Sequence, residues 1–266
     1  MLDEVINKSL LNSNSNYALF IKNFTTDEHI SINAEVQIPS ASIIKLFIMG
    51  AAFQGVQENL FTVHDPITIK EEDKMPYSII SLLETNNTYS IQDLITLMII
   101  QSDNTATNLM ISLLSMEYIN SFIKNYGMKH TVLARKMMDF SAKKSGYENY
   151  TTADDISKYL NLLYEGKVVN PFYSQKMLDI MSNQLDGSMM KRELPVEIHI
   201  AHKTGDLPYM KHDVGIVYTP KGDYIFSMFT WDAMDDICGK KLIGTVSKSV
   251  YDYLSATHVA SGILKC

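Results

Sequence analysis

The chain is poor in cysteine: two thiols, Cys238 and Cys266, in 266 residues. They cannot make a disulfide framework, so stability must come from a packed core, and both are read as free thiols. Seven prolines, twelve glycines and no low-complexity segment exclude collagen-like and linker-like chains. Basic charge is also scarce. Twenty-three Lys and Arg against thirty Asp and Glu leave a net charge of −7, which excludes the basic face that nucleic-acid binding needs. Long apolar runs are missing too: residues 43–53 contain Lys45, and residues 94–100 are far too few to span a bilayer. Met1-Leu2-Asp3-Glu4 is acidic where a secretory signal would be basic, and no apolar core follows it. The expectation is a cytoplasmic protein as written, or a secreted or periplasmic one from which a leader was removed.

What is present is an ordinary globular composition, 46% hydrophobic and 20% charged, on a chain long enough for one large domain. Strand patterns lie at the two ends. Residues 17–24 and 29–32 flank the polar turn Thr25-Thr26-Asp27-Glu28. Val196, Ile198 and Ile200 alternate with polar or small residues as a half-buried strand, and Thr219-Pro220-Lys221-Gly222 joins residues 214–218 to 224–231 as a second hairpin. Helix signals fill the middle: Ser90-x-x-Asp93 and Thr152-x-x-Asp155 read as caps, and Gly127 ends a pattern that begins near Glu117. Helices are also expected over residues 2–11 and 242–254. The fold class is therefore α+β: a five-stranded antiparallel sheet from the two chain ends (about 1–39 and 196–266), flanked by terminal helices. An all-helical subdomain (about 40–195) is inserted between its halves, with a cleft at the junction.

Three short motifs carry chemistry. Pro39 and Ser40 open a run that is apolar nearly all round, and within it Ser42 and Lys45 share a helix face. A buried lysine must find partners or lose its proton, and a desolvated amine beside a hydroxyl is a nucleophile and its base. A second Ser-x-x-Lys, Ser141 to Lys144, sits in polar sequence and reads as solvated loop. Ser102-Asp103-Asn104 lies between two helical patterns, and Lys203-Thr204-Gly205 ends the strand that begins at Val196. Either alone is a polar turn or a strand end.

In this order and spacing, 60 residues from Ser42 to Ser102 and 101 from there to Lys203, the motifs resemble the signature of the serine β-lactamases and penicillin-binding proteins, class A β-lactamases above all. The resemblance covers most of the chain and implies a cofactor-free hydrolase acting through an acyl-enzyme on Ser42. Lys45 would activate the hydroxyl. Ser102 would pass a proton to the departing nitrogen, Asn104 would bond Lys45 and a substrate amide, and Lys203 and Thr204 would attract a substrate carboxylate. The N–H groups of Ser42 and Asp206 would form the oxyanion hole, next to Gly205. Tyr77 falls where that family carries an aromatic at the cleft rim. The partner implied is a small β-lactam or acyl-peptide-like substrate, the protein a monomer, with no nucleic acid and no membrane.

The sequence departs from that family at two places. The family's loop Leu-x-Arg-x-Glu-x-x-Leu-Asn is matched by Leu133-Ala134-Arg135-Lys136-Met137-Met138-Asp139-Phe140, which puts Met137 where the deacylating glutamate should be. Asp139 or Glu148 could supply a carboxylate, though either also reads as a solvated acid. The family's carboxylate-binding arginine is missing, with Lys211 or His212 as substitutes. Asp206 adds a negative charge beside the Lys-Thr-Gly motif. Slow deacylation follows from the first departure. It leaves a D,D-peptidase-like or other amide or ester hydrolase, and an acyl-binding sensor, as alternative readings. His199 and His202 lie on opposite strand faces, a poor metal pair, and the pairs Asp154-Asp155 and Asp235-Asp236 read as solvated caps or turns.

Overall fold

A computed structural model describes residues 1–11, 13 and 15–256; Cys266 lies outside them, and Cys238 is a free, half-buried thiol. The sheet strands are β1 (Asn16–Asn23), β2 (His29–Ile32), β3 (His199–Leu207), β4 (Met210–Tyr218) and β5 (Tyr224–Trp231). They pair antiparallel in the order β2–β1–β5–β4–β3, so the two chain ends meet side by side in one sheet, joined at β1 and β5. Alternation explains which side is covered by what. Leu19, Ile21, Tyr224, Phe226 and Met228 meet one apolar cluster, while Ala18, Ile225 and Phe229 meet the other.

The first cluster is closed by the terminal helices. Leu2, Ile6 and Leu10 of α1 (Leu2–Leu10) recur every fourth residue, and Ile243, Val246, Val250 and Leu254 line the last helix, Asp236–Ala256. The second is closed by helices from the chain's middle: α2 (Lys45–Gln57), α3 (Ile91–Ile100), α4 (Asn104–Leu114), α5 (Met116–Asn125), α7 (Ala153–Tyr164) and α8 (Pro171–Ser182), while the short α6 (Phe140–Lys144) buries no side chain. The last helix is α9. Capping works as the sequence suggests: the hydroxyls of Ser90 and Thr152 accept from the N–H groups of Asp93 and Asp155. Among the described residues, no helix is long and apolar enough to cross a membrane.

Helix α2 is the axis of the helical layer, with every side chain from Lys45 to Phe53 buried. Gly50 lets it approach its neighbours: a Cβ there would come within 2.2 Å of Tyr159 Oη and 2.5 Å of Phe122 Cζ. Tyr159 is itself fully buried and packs on Phe47 at 4.6 Å between ring centroids. Gly50→Ala is therefore expected to destabilise the protein by about 1–3 kcal/mol through overpacking, despite alanine's better helix propensity. Urea unfolding measures this, and an unchanged midpoint would show that both rings move aside freely.

Three expectations are corrected. Val196 is in a turn and 96% exposed, β3 begins only at His199, and residues 200–205 are all buried. The period-two pattern fails because helices and turns cover both faces of that strand. The helix expected from Pro39 onward starts instead as a 3₁₀ turn, Ala41–Ile44, after Pro39 has paired in a two-residue strand, Ile38–Pro39. Asp155 is buried rather than solvated, because its carboxylate accepts from His130 N and Thr131 Oγ1.

Candidate active site

Ser42 sits in the 3₁₀ turn that leads into α2, and Lys45 is the first residue of the α-helix proper. In a 3₁₀ turn, side chains three apart eclipse, which puts Ser42 and Lys45 on one face, although the hydrogen bonds of Lys45 Nζ go to Ser102 and Asn104 and not to Ser42. Ala41, just before Ser42, has φ +47°, the left-handed region that a Cβ disfavours. Such strain persists only where the surroundings hold it. Ser42 Oγ is half-exposed and has no hydrogen-bond partner among the described residues, so it faces the cleft uncommitted.

Lys45 Nζ is fully buried and donates to Ser102 O at 2.6 Å, Asn104 Oδ1 at 2.9 Å and Ser102 Oγ at 3.1 Å. Loss of hydration holds its pKa well below the ordinary lysine value. The positive charge of Lys203 pushes the same way, and Asp103 opposes both. Lys203, also buried, donates to Ser102 Oγ at 3.1 Å and to Thr204 O at 2.8 Å. Burial lowers it to about 7, against the pull of Asp213 and Asp186. Ser102 Oγ thus accepts from two amines and spends both lone pairs on them. Its own O–H is left free to donate into the cleft.

The turn carrying Ser102 is held from beneath. Asp103, fully buried, accepts from Ser78 Oγ at 2.7 Å, Ile80 N at 3.1 Å and Ala106 N at 2.9 Å, so one carboxylate caps α4 and clamps residues 78–80. Asn104 Nδ2 donates to Pro76 O at 3.0 Å on the same segment. Tyr77, between these anchors, is 82% exposed with φ +56°, and Ser102 itself has φ +55°. On the opposite wall, β3 packs directly on the Ser42 turn. A Cβ on Gly205 would meet Ile43 Cγ1 at 3.1 Å and Ala41 Cβ at 3.2 Å, which is why that position has no side chain. Asp206 follows and is exposed.

Neither substitute for the missing arginine is available. Lys211, buried on β4, is engaged by Asp206 Oδ1 at 2.7 Å, Asp236 Oδ1 at 2.9 Å and Leu207 O at 2.9 Å. Its ammonium is used up within the protein rather than offered to substrate, and Asp236 is correspondingly an ion-pair partner rather than a solvated turn acid. His212 hydrogen-bonds Pro39 O through Nε2 at 3.0 Å, and burial pushes it down to about 4, so it is neutral near pH 7.

The loop acids are committed as well. Glu148 accepts from Arg135 Nε at 2.9 Å and pairs with Arg135 Nη2 at 2.7 Å and Lys143 at 3.3 Å, whereas Asp139 caps α6 by accepting from Ala142 N at 2.9 Å. Met137 is buried, and both its backbone polar groups are held by Asn108: its N–H donates to Oδ1 at 2.8 Å, and its C=O accepts from Nδ2 at 3.0 Å. Asn108 lies one turn beyond Asn104 on α4, so one helix holds both the contact with Lys45 and the backbone of position 137. Sequence reading missed Asn108, although the i, i+4 spacing of two asparagines on one helix was the available signal. Ser141 is exposed on α6, and His199 and His202 are apart, the second buried against Asp213 at 2.8 Å. No group of three or more His, Cys, Asp or Glu that could hold a metal occurs among the described residues.

The chain and its fold are similar to those of known proteins. Residues 1–254 match the model of the beta-lactamase enzyme family. Beta-lactamase VEB-1 of Pseudomonas aeruginosa is 23% identical over 258 residues, spanning 90% of this chain and 86% of that protein. The crystal structure of a beta-lactamase from Sphaerobacter thermophilus superposes with a TM-score of 0.87 at 26% identity, over 96% of this chain and 97% of that one. PBP-A does so with a TM-score of 0.86 at 26% identity, over 96% and 95%, and a point mutant of PBP-A has been solved as an acyl-enzyme with penicillin G. The chain thus belongs to the beta-lactamase enzyme family, as a class A β-lactamase-like serine hydrolase.

Proposed function

We propose that the chain opens β-lactams, or acyl-peptide-like amides of the same shape, through an acyl-enzyme on Ser42 that it releases slowly. The observation that carries this reading is the single hydroxyl, Ser102 Oγ, held at 3.1 Å from both Lys45 Nζ and Lys203 Nζ. Neutral Lys45 takes the proton of Ser42 as Oγ attacks the carbonyl carbon, and the N–H groups of Ser42 and Asp206 receive the oxyanion. The C–N bond then breaks. The departing nitrogen takes the Ser102 proton, which Lys45 restores through their contact, leaving Lys45 neutral again. Asn104 keeps Lys45 in register, and Tyr77, Thr204 and Gly205 line the substrate's path.

Release of the acyl group needs a water and a base to activate it. Met137 offers none, and Asp139 and Glu148 are tied to other partners. The same facts support the second reading, a penicillin-binding-protein type of amide or ester hydrolase for which β-lactams are slow substrates. Mixing the protein with benzylpenicillin is expected to give a burst of one opened ring per protein, then slow turnover. Intact mass should show one acyl adduct, mapped to the peptide holding Ser42. Rapid turnover without a burst would sink the slow-release reading, and an adduct elsewhere would sink the assignment of Ser42.

A further inference from the structure

Next to Ser42 the charges are arranged with the cation inside and the anions outside. Lys211 is wholly buried, and its three donors are matched by Asp206, Asp236 and the Leu207 carbonyl. The two carboxylates above it are 53% and 55% exposed. Lys240 stands at the outer limit of an ion pair with Asp206 Oδ2, 3.8 Å. Asp206 is also the residue after Gly205, on which a Cβ would meet Ala41 and Ile43, the neighbours of Ser42. Strand alternation puts its carboxylate on the same face as the Thr204 side chain, two residues back, beside Lys211 of the paired strand, so it borders the Lys203–Thr204 end of the cleft. On this wall, Lys203 is the other charged group of the strand, and it is buried and already bonded to Ser102 and Thr204.

We propose that Asp206 is a specificity-determining residue: it disfavours substrates bearing a carboxylate at the Lys203–Thr204 end of the cleft and favours those that are uncharged or carry an ammonium there. The inference rests on the acyl-enzyme reading of Ser42. Asp206 and Asp236 together outweigh Lys211 by one negative charge, and a net charge of one beside a like charge, at the effective dielectric of a protein surface, changes a rate by about tenfold. The backbone N–H of Tyr209 donates to Asp236 Oδ1 at 2.7 Å and helps to hold that carboxylate in place.

The test compares benzylpenicillin with its uncharged methyl ester, reading the acylation rate of each by intact mass. The acid-to-ester rate ratio cancels the ring's own reactivity when one protein is compared with another. That ratio is expected to rise about tenfold in Asp206→Asn and in Asp206→Ala. In the unaltered protein it is expected to rise several-fold between low salt and 1 M salt, because screening weakens an exposed charge; this arm needs no variant to fold. A ratio that stays within about twofold in both variants and across the salt range overturns the role of Asp206. Absence of an adduct with either compound in the unaltered protein overturns the acyl-enzyme reading itself, a different result from an adduct whose ratio does not move.

Discussion

Acylation by benzylpenicillin is expected to disappear in Ser42→Ala and to slow by about 10²–10⁴-fold in Lys45→Met, the usual worth of a positioned general base. Methionine keeps the length and apolar stem of Lys45 but strands three acceptors, Ser102 O, Ser102 Oγ and Asn104 Oδ1. Thermal unfolding of the variant separates loss of fold from loss of base. The pH profile does so more directly. Lys45 acts as a base only when neutral, and its pKa is lowered chiefly by burial and then by Lys203. The reactive fraction grows as pH climbs through that lowered pKa, which gives a rising limb. Lys203, lowered to about 7, is a cation only below that pH, so its attraction for an anionic substrate fades as pH rises past neutrality. Acylation by the acid should therefore rise and then fall, with the falling limb near pH 7. In Lys45→Met the rising limb should vanish while the falling one remains. A rising limb unchanged in Lys45→Met would assign the base to another group.

What the sequence makes legible here is whatever is local. Ser42 and Lys45 are three apart in an apolar run, and a lysine in such a run has few fates, so its chemistry shows before any fold is known. The sheet assembled from two chain ends is legible for a related reason: hairpin turns and cap residues announce themselves over a few positions. The charge wall beside Ser42 was not legible. Lys211 meets Asp206 only because β3 and β4 pair in that register, and meets Asp236 only because α9 starts where it does. An isolated lysine on a strand cannot show that two carboxylates 5 and 25 residues away will consume it. Val196 misled for the opposite reason. Its alternation with neighbours is real in the sequence, but a turn uses it, and alternation does not distinguish a turn entering a strand from the strand. The strained residues Ala41, Tyr77, Ser102 and Met138 leave no mark in composition either. All four lie on the segments that build the site, where surrounding contacts hold a backbone that their side chains disfavour.

Position 137 gives the sharpest test of slow release. Asn108 holds the backbone there by both polar groups, so exchanging the side chain leaves the peptide where it is. The same helix, one turn earlier, places Asn104 on Lys45, so an acid at 137 would start from a backbone held beside the site. Met137→Glu is therefore expected to shorten the life of the acyl-enzyme by about 10²–10⁴-fold, the contribution of a general base to a water attack. Burial would raise the new acid's pKa, whereas the nearby lysines would lower it and keep it ionised. The same charge would favour protonated Lys45 and so slow acylation, though by less than release is accelerated. Burst amplitude should fall and steady turnover should rise. Met137→Gln supplies the control, because it fits the same volume and polarity without a base, and its adduct should last as long as that of the unaltered protein. If Met137→Glu releases the acyl group no faster than Met137→Gln, the side chain at 137 does not reach the acyl carbonyl. The slow step would then be set by water access rather than by the missing base.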